Sequence, residues 1–352
     1  VPQALWMNGR QASLRCHPQY LFHGTAAQRI AQHGVPLRAR AFANINRLNK
    51  LGSILPKLSN FMLSNALSGG AVKKILGVAP QRSLPTIHPQ SLRDWYRNWK
   101  NDNDTLTSSA KTVYFFCDEF TDYNDTPIGS KAIELLTRLG YQVEMIEHEE
   151  SGRAAMSKGL LDIAQQYART NVAIFSNYIT AETPLIGIEP SAILSFRDEY
   201  LRLVDADQLA AAKALSNNVF TIDEFLAAEI KAGRIEATHF TKVAKKIKLH
   251  GHCHQKALSS IDATAWMLSL PENYEVELIP SGCCGMAGSF GYEAEHYELS
   301  MQIGELVLFP AVRESAADII IAAPGTSCRH QIKDGTERKA LHPVEILYEA
   351  LV

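Results

Sequence analysis

The sequence predicts an α/β protein made of two tandem, pseudo-repeated units with mainly parallel strands, preceded by a helical N-terminal region. Three observations carry this. Apolar residues recur at three- and four-residue spacing through the first hundred positions, the period of a helix face. From about residue 110 the pattern changes to short apolar runs alternating with helical segments, as in parallel-sheet proteins. Those runs also fall into two sets that superpose on one another, an internal repeat. The boundaries read as 1–108 for the helical region and linker, 109–240 for the first repeat and 241–352 for the second.

In the first region, Leu51, Ile54, Leu58, Met62 and Ala66 mark amphipathic helices. Their apolar face is expected to pack against the rest of the protein, with docking to a partner or a membrane surface as the alternative. Trp95 and Trp99, one turn apart, read as packing anchors, and Asn101 to Ser109 (NDNDTLTSS) as a linker. The opening stretch, which begins with Val1, shows no periodicity and suggests a trimmed or partial chain.

The strands follow. Val113 to Cys117, Gln142 to Ile146 and Asn171 to Phe175 form the first set; Ile247 to Leu249, Tyr274 to Ile279 and Asp318 to Ala323 form the second. Val143 to Gly152 matches Val276 to Gly285, so Glu150 and Ser151 stand where Cys283 and Cys284 stand. Glu189-Pro190-Ser191-Ala192 matches Gly325-Thr326-Ser327-Cys328, which sets Ala192 opposite Cys328. Cys117 is expected to pair with Cys253, in a register loose by a few residues. One half of the repeat therefore carries cysteines and the other lacks them.

The 352 residues, 46% hydrophobic and 20% charged, suffice for one large or two ordinary domains. A net charge of -2 gives no overall field that would draw nucleic acid or an anionic membrane as the main partner. No apolar run reaches the roughly 20 residues of a membrane span, and no signal peptide is legible. A cytoplasmic protein, or one peripheral to a membrane, is expected.

The six cysteines are Cys16, Cys117, Cys253, Cys283, Cys284 and Cys328. In the second repeat Cys253, Cys283, Cys284 and Cys328 each lie just after a strand, and such segments emerge at one carboxyl edge of a parallel sheet. Convergent thiolates there suit zinc, copper(I) or iron-sulfur, and would repel one another without a compensating cation. A cytosolic compartment argues against a disulfide framework. Gly251, Gly282, Gly285, Gly288 and Gly291 give room and backbone donors around the site, and helix starts beyond Cys253 and Gly291 add positive ends.

Among the flanking residues, His250, His252 and His254 could donate to a sulfur or replace one as ligand, and Arg329 with His330 could bond a reduced centre. The Gly285-x-x-Gly288-x-x-Gly291 spacing only weakly resembles a nucleotide-binding turn, because it lacks the G-x-G pair. His148-Glu149-Glu150 could contain a general base, and Arg153 with Lys158 an anion-binding pair, although charged loop residues are ordinarily solvated. Lys242 to Lys248 reads as the exposed lead-in to a strand.

The segments His250 to His254 (HGHCH), Ser281 to Gly288 (SGCCGMAG) and Gly325 to Gln331 (GTSCRHQ) resemble the cysteine-rich CCG domain. That domain is shared by the B subunit of heterodisulfide reductase, the C subunit of anaerobic glycerol-3-phosphate dehydrogenase and the glycolate and lactate oxidase iron-sulfur subunits. SLRDWYRNW, ESGRAAMSKGLLD, IGIEPSAILSFRDEY and HPVEILYEAL are similar to the C-terminal part of FAD-linked oxidases of D-lactate or D-2-hydroxyglutarate. The resemblance covers about residues 35 to 352. It implies an electron-transfer module whose cluster, of [4Fe-4S] type, is held by Cys253, Cys283, Cys284 and Cys328. Gly282, Gly285, Gly288, His252, His254 and Arg329 would line the cofactor, with zinc as the alternative metal. Many relatives carry cysteines in both halves and end the last motif C-x-x-C; here Gln331 follows Arg329 and His330, and one centre per chain is implied. The resemblance also implies that FAD belongs to a dehydrogenase domain preceding this region, and that a quinone or redox protein accepts the electrons.

Overall fold

The computed structural model of the chain describes residues 18–103 and 110–352. Cys16, the opening stretch and most of the expected linker lie outside the described residues. Two four-stranded sheets, all parallel, follow a helical N-terminal region, as the sequence predicts. The first contains β1 (Thr112–Phe115), β2 (Gln142–Glu144), β3 (Leu185–Gly187) and β4 (Val219–Thr221), in the order β2-β1-β3-β4. The second contains β5 (Lys245–Leu249), β6 (Tyr274–Leu278), β7 (Ile320–Ala322) and β8 (Ala340–Leu341), in the corresponding order β6-β5-β7-β8. Parallel neighbours need crossovers, and helices such as Thr126–Arg138 and Leu161–Phe175 supply them.

Strand pairing fixes the repeat residue by residue. Val113 sits opposite Val143 and Ile247 opposite Val276; Tyr114 sits opposite Leu185 and Lys248 opposite Ile321. Ala192 therefore corresponds to Cys328, and Glu150-Ser151 to Cys283-Cys284, as expected from sequence. Cys117, however, corresponds to Gly251, and it is Glu119 that takes the place of Cys253. Two local features repeat in the same register. Gly152 and Gly285 both adopt positive φ (76° and 95°), and Thr221 with Glu224 matches His342 with Glu345 as a helix capping box.

One predicted strand is a helix. Asn171 to Phe175 ends the helix Leu161–Phe175, whose buried residues Ala164, Ala168, Asn171, Val172 and Phe175 follow the helical period. The β-branched and aromatic run reflects a buried helix stripe, and the third strand is the Leu185–Gly187 segment instead. Lys246 and Lys248 do enter a strand, where they pair with Glu275 and Glu277 of β6 at 3.6 and 3.8 Å.

A single apolar cluster joins the units, running from Val113, Phe115 and Leu136 to Ile247, Leu249 and Leu347. Complete burial of a side chain such as Phe115 contributes roughly 1.5–3 kcal/mol. The last helix, Pro343–Tyr348, lies on Thr126–Arg138 of the first unit, where the Tyr348 hydroxyl donates to Glu134. Trp95 and Trp99 stack at 5.6 Å against this core, as packing anchors should.

The apolar face of the N-terminal helices does not pack. Leu51, Ile54, Leu58 and Met62 are 67%, 71%, 53% and 47% exposed, contrary to the expected burial. These residues fall in or between Ile45–Gly52 and Pro56–Ser64, helices too short and sharply turned to lay one continuous stripe on the sheets. The region is held instead by Ala43, which packs with Ala155, Met156 and Ala164, by polar contacts such as Asn49 to Asn124, and by Arg82, which is wholly buried. Its guanidinium donates to the Gly291 carbonyl (2.6 Å), Gln331 Oε1 (2.6 Å) and Ser300 Oγ (2.8 Å) and lies 3.4 Å from Asp334. Removing one partner of a buried charged network strands the others. Arg82→Met is expected to destabilise the protein by about 3–5 kcal/mol in urea unfolding, whereas the exposed Arg97→Met should change stability by less than about 0.5 kcal/mol.

Candidate metal centre

At the carboxyl edge of the second sheet, four thiols meet. Cys253 opens the helix Cys253–Leu258 just after β5, Cys283 and Cys284 occupy the turn after β6, and Cys328 lies in the first turn of Thr326–Thr336 after β7. Neighbours in the order Cys253, Cys283, Cys284 and Cys328 each act on the next one's ionisation, so the sulfurs form a contiguous series. A ring nitrogen of His250 and the sulfurs of Cys284 and Cys328 lie within 4.8 Å of one another. Cys284 and Cys328 are 3% and 1% exposed, Cys283 is half-buried and Cys253 is exposed, so the series runs from a closed floor to an open mouth.

Ionisation is shared unequally among these thiols. Bonds from Cys253 and Cys284, with the Gly285 N–H donating at 3.3 Å, hold Cys283 well below the ordinary thiol range. Cys328 is lowered by its bond to Cys284 and by facing His250. Cys253 is raised by its bond to Cys283 and by desolvation, and Cys284 by bonds to both neighbours. Without a cation only part of the set can be thiolate, because like charges oppose each other's ionisation. Two buried thiols and an imidazole within 4.8 Å of one another, with Cys283 and Cys253 next in line, suit a metal that prefers sulfur.

The surrounding residues divide into those that serve the site and those committed elsewhere. Gly285 does serve it: its φ of 95° and the 2.3 Å from a built Cβ to the Ser300 carbonyl admit only glycine, and its N–H is the donor to Cys283. Gly282 is exposed at the mouth, where its carbonyl and that of Ser281 accept from Lys256 at 3.2 and 2.5 Å. Gly288 is an exposed turn residue (φ 66°) with open space where a Cβ would stand.

His252 caps Cys253–Leu258, with Nδ1 accepting from the His254 N–H, and its Nε2 lies 4.0 Å from Glu189. His254 is buried with Nε2 3.9 Å from Glu199. Arg329 turns away from the sulfurs: it donates to the Ala323 and Pro324 carbonyls and to Asp125 of the first unit at 2.5 Å. It pins the two units together. Gln331 likewise points at Ser300 and Arg82.

The first unit shows what occupies this place without cysteines. The Glu119 carboxylate accepts from the Ser151 hydroxyl (2.8 Å) and N–H (3.1 Å), closing the positions that correspond to Cys253 and Cys284. Cys117 is buried and its thiol is pushed up by desolvation. Arg153 and Lys158 pair with Glu199 and with Glu293, so they form no anion site. His148 stacks on Phe116 at 4.4 Å and is pushed down to about 3 by burial, which leaves it neutral and a weak proton acceptor near pH 7.

No protein-family model matches the sequence. Curated relatives do. The chain is 27% identical over 326 residues to D-2-hydroxyglutarate dehydrogenase of Escherichia coli K12, covering 90% of this chain and 31% of that protein. It is 26% identical over 325 residues to the C subunit of the same organism's anaerobic glycerol-3-phosphate dehydrogenase, covering 86% and 79%. A third match, lactate utilization protein A of Bacillus licheniformis, is 27% identical over 247 residues and covers 68% and 98%. The chain's relatives are thus oxidoreductases or their subunits. It spans about a third of the length of the first.

Sequence reasoning missed Glu119 and Ser281. A one-for-one continuation from Val113 would have found Glu119, and Ser281 stands immediately before Gly282-Cys283-Cys284.

Glu150 is raised to about 7 by burial and by the nearby Glu119 charge. The folded state keeps a proton that the unfolded chain releases near the ordinary carboxyl value, so this contribution is present below about pH 4.5 and is lost as pH rises through about 7. Glu150→Gln should therefore be more stable than the parent by about 1–3 kcal/mol at pH 8 and equal to it at pH 4.5, read from urea unfolding at both pH values.

Proposed function

We propose that this chain is an iron-sulfur electron-transfer module of an FAD-linked D-2-hydroxy acid dehydrogenase. Cys253, Cys283, Cys284 and Cys328 would hold a cluster of [4Fe-4S] type. The single observation behind this is the contiguous series of four sulfurs at one sheet edge, where a metal would relieve the repulsion between thiolates. When bound, such a cluster supplies a one-electron relay. The names of two relatives, a D-2-hydroxyglutarate dehydrogenase and a lactate utilization protein, support a 2-hydroxy acid as the substrate class; a flavin dehydrogenase domain as the electron donor follows from the resemblance of the sequence. A quinone or redox protein would be the acceptor.

The chain's own residues fit these roles. Buried Cys284 and Cys328 keep water from the floor, the Gly285 N–H and the start of Thr326–Thr336 stabilise negative sulfur, and exposed Cys253 and Gly282 leave a mouth for a donor.

Anaerobically purified protein is expected to be brown, to contain iron and sulfide, and to bleach with dithionite. Cys284→Ser should lose the metal and Cys117→Ser should keep it. Colourless protein with one zinc would instead make the site structural, and equal metal content in both variants would overturn the ligand set.

The location proposed is peripheral to a membrane. Twelve Lys and Arg and no Asp or Glu precede Asp94, an asymmetry that the net charge of -2 conceals. The same region exposes Leu51, Ile54, Leu55, Phe61, Leu67 and Ile75. Arg82 is buried and Arg38 and Arg93 are paired with carboxylates, so the charges left for a surface are those such as Lys50, Lys57 and Lys74; exposed apolar side chains beside them suit an anionic lipid surface. The protein should cosediment with phosphatidylglycerol vesicles but not with phosphatidylcholine vesicles, and Phe61→Ser with Leu67→Ser should weaken binding several-fold. Absence of cosedimentation at low salt would exclude this location.

A further inference from the structure

The described residues contain one titratable side chain at the sulfur series that the four-cysteine assignment leaves without a role. His250 ends the β5 side of the site, wholly buried, with its backbone N–H tied to the Ala322 carbonyl at 2.8 Å. Its Nδ1 lies 2.6 Å from Ser281 Oγ. The Ser281 hydroxyl has an acceptor of its own in the Ile279 carbonyl at 3.4 Å, so Oγ is able to receive a proton from Nδ1. Nε2 is buried, and no nitrogen or oxygen partner meets it; the group that the ring faces is the Cys328 thiol. Nε2 belongs to the ring whose nitrogen shares a 4.8 Å volume with the Cys284 and Cys328 sulfurs.

A buried imidazole nitrogen faced only by a thiol, a weak hydrogen-bonding group, is poorly satisfied, and a metal shared with that sulfur would satisfy it. An imidazole whose Nδ1–H is held by an oxygen presents an Nε2 lone pair, the form in which histidine binds metal, with the oxygen fixing ring orientation. The internal repeat agrees independently. By strand register His250 corresponds to Phe116 and Ser281 to His148, so the half without cysteines also lacks this imidazole and its oxygen partner. His252 and His254 are less suited: His252 uses Nδ1 as a helix cap, and the Nε2 atoms of both are within about 4 Å of Glu189 and Glu199. Gln331, three residues beyond Cys328, is bonded to Ser300 and Arg82 and supplies nothing.

We infer that His250, through Nε2, is a fifth protein ligand of the centre held by the four cysteines, and that Ser281 is its positioning residue. This rests on the metal-centre reading above. The ligand set is then mixed nitrogen and sulfur, on the closed side of the site.

The test uses the whole chain purified anaerobically with its native metal, and labelled with 15N-histidine. Iron, zinc and sulfide are assayed first. X-ray absorption at the edge of the metal found, and pulsed EPR of the reduced protein if that metal is iron, then report the coordinating atoms. The parent is expected to show a directly bound histidine nitrogen that disappears in His250→Phe, a side chain this position accommodates in the other repeat. His250→Cys should restore metal retention with a shell of sulfur alone. Ser281→Ala should keep the nitrogen signal but lose metal to a chelator about tenfold faster or more. A metal-loaded parent with only sulfur ligands, or a nitrogen signal that persists in His250→Phe, overturns the inference while leaving the four-cysteine centre standing. Protein devoid of any metal overturns both.

Discussion

Crowding of like charge at the end of one sheet is the constraint on which the second unit is organised. Four thiols are brought into one interacting series by three strand ends, and that neighbourhood cannot be fully ionised without a cation. Many surrounding features answer to this. Glycine at 285 lets a backbone N–H approach Cys283, Lys256 binds the carbonyls before the cysteine pair, and Cys328 sits in the positive first turn of a helix.

The first unit is a natural control for that arrangement. It has the same strand order, the same positive-φ glycine and the same capping box, yet its corresponding positions hold Glu119, Glu150, Ser151 and Ala192. A carboxylate bonded to a serine fills the place with ordinary polar contacts and leaves no sulfur series. The two ends are not independent. Glu189 of the first unit accepts from the Thr326 N–H, and Asp125 accepts from Thr326 and Arg329, so the cysteine-free half buttresses the loop that carries Cys328.

Much of this was legible in the sequence because it lies in local pattern: alternating strands and helices, the repeat through Gly152 and Gly285, and four cysteines following strands. What was not legible depended on longer-range context. The run Asn171 to Phe175 carries strand-like residues, but its burial follows the helix that precedes it. The spacing of Leu51, Ile54, Leu58 and Met62 announces a helix face, and no pattern in the sequence says whether another surface covers it. Arg329 adjoins a cysteine in sequence yet points across to Asp125, because the helix turn that holds Cys328 inward directs its neighbour toward the other unit. The roles of the three histidines around Cys253 could be separated only by seeing which oxygen faced each ring.

The placement of the last helix on the first unit has a consequence for how the chain reaches its native state. Leu136 shares its apolar cluster with Leu347, more than two hundred positions later, and Phe240 bridges to Leu351. Neither half can complete its interior from its own residues alone. Contacts this distant are slow to form and leave apolar surface uncovered in the meantime. Assembly is thus governed by a late clasp: the opening half waits, partly solvent-facing, until the closing residues arrive.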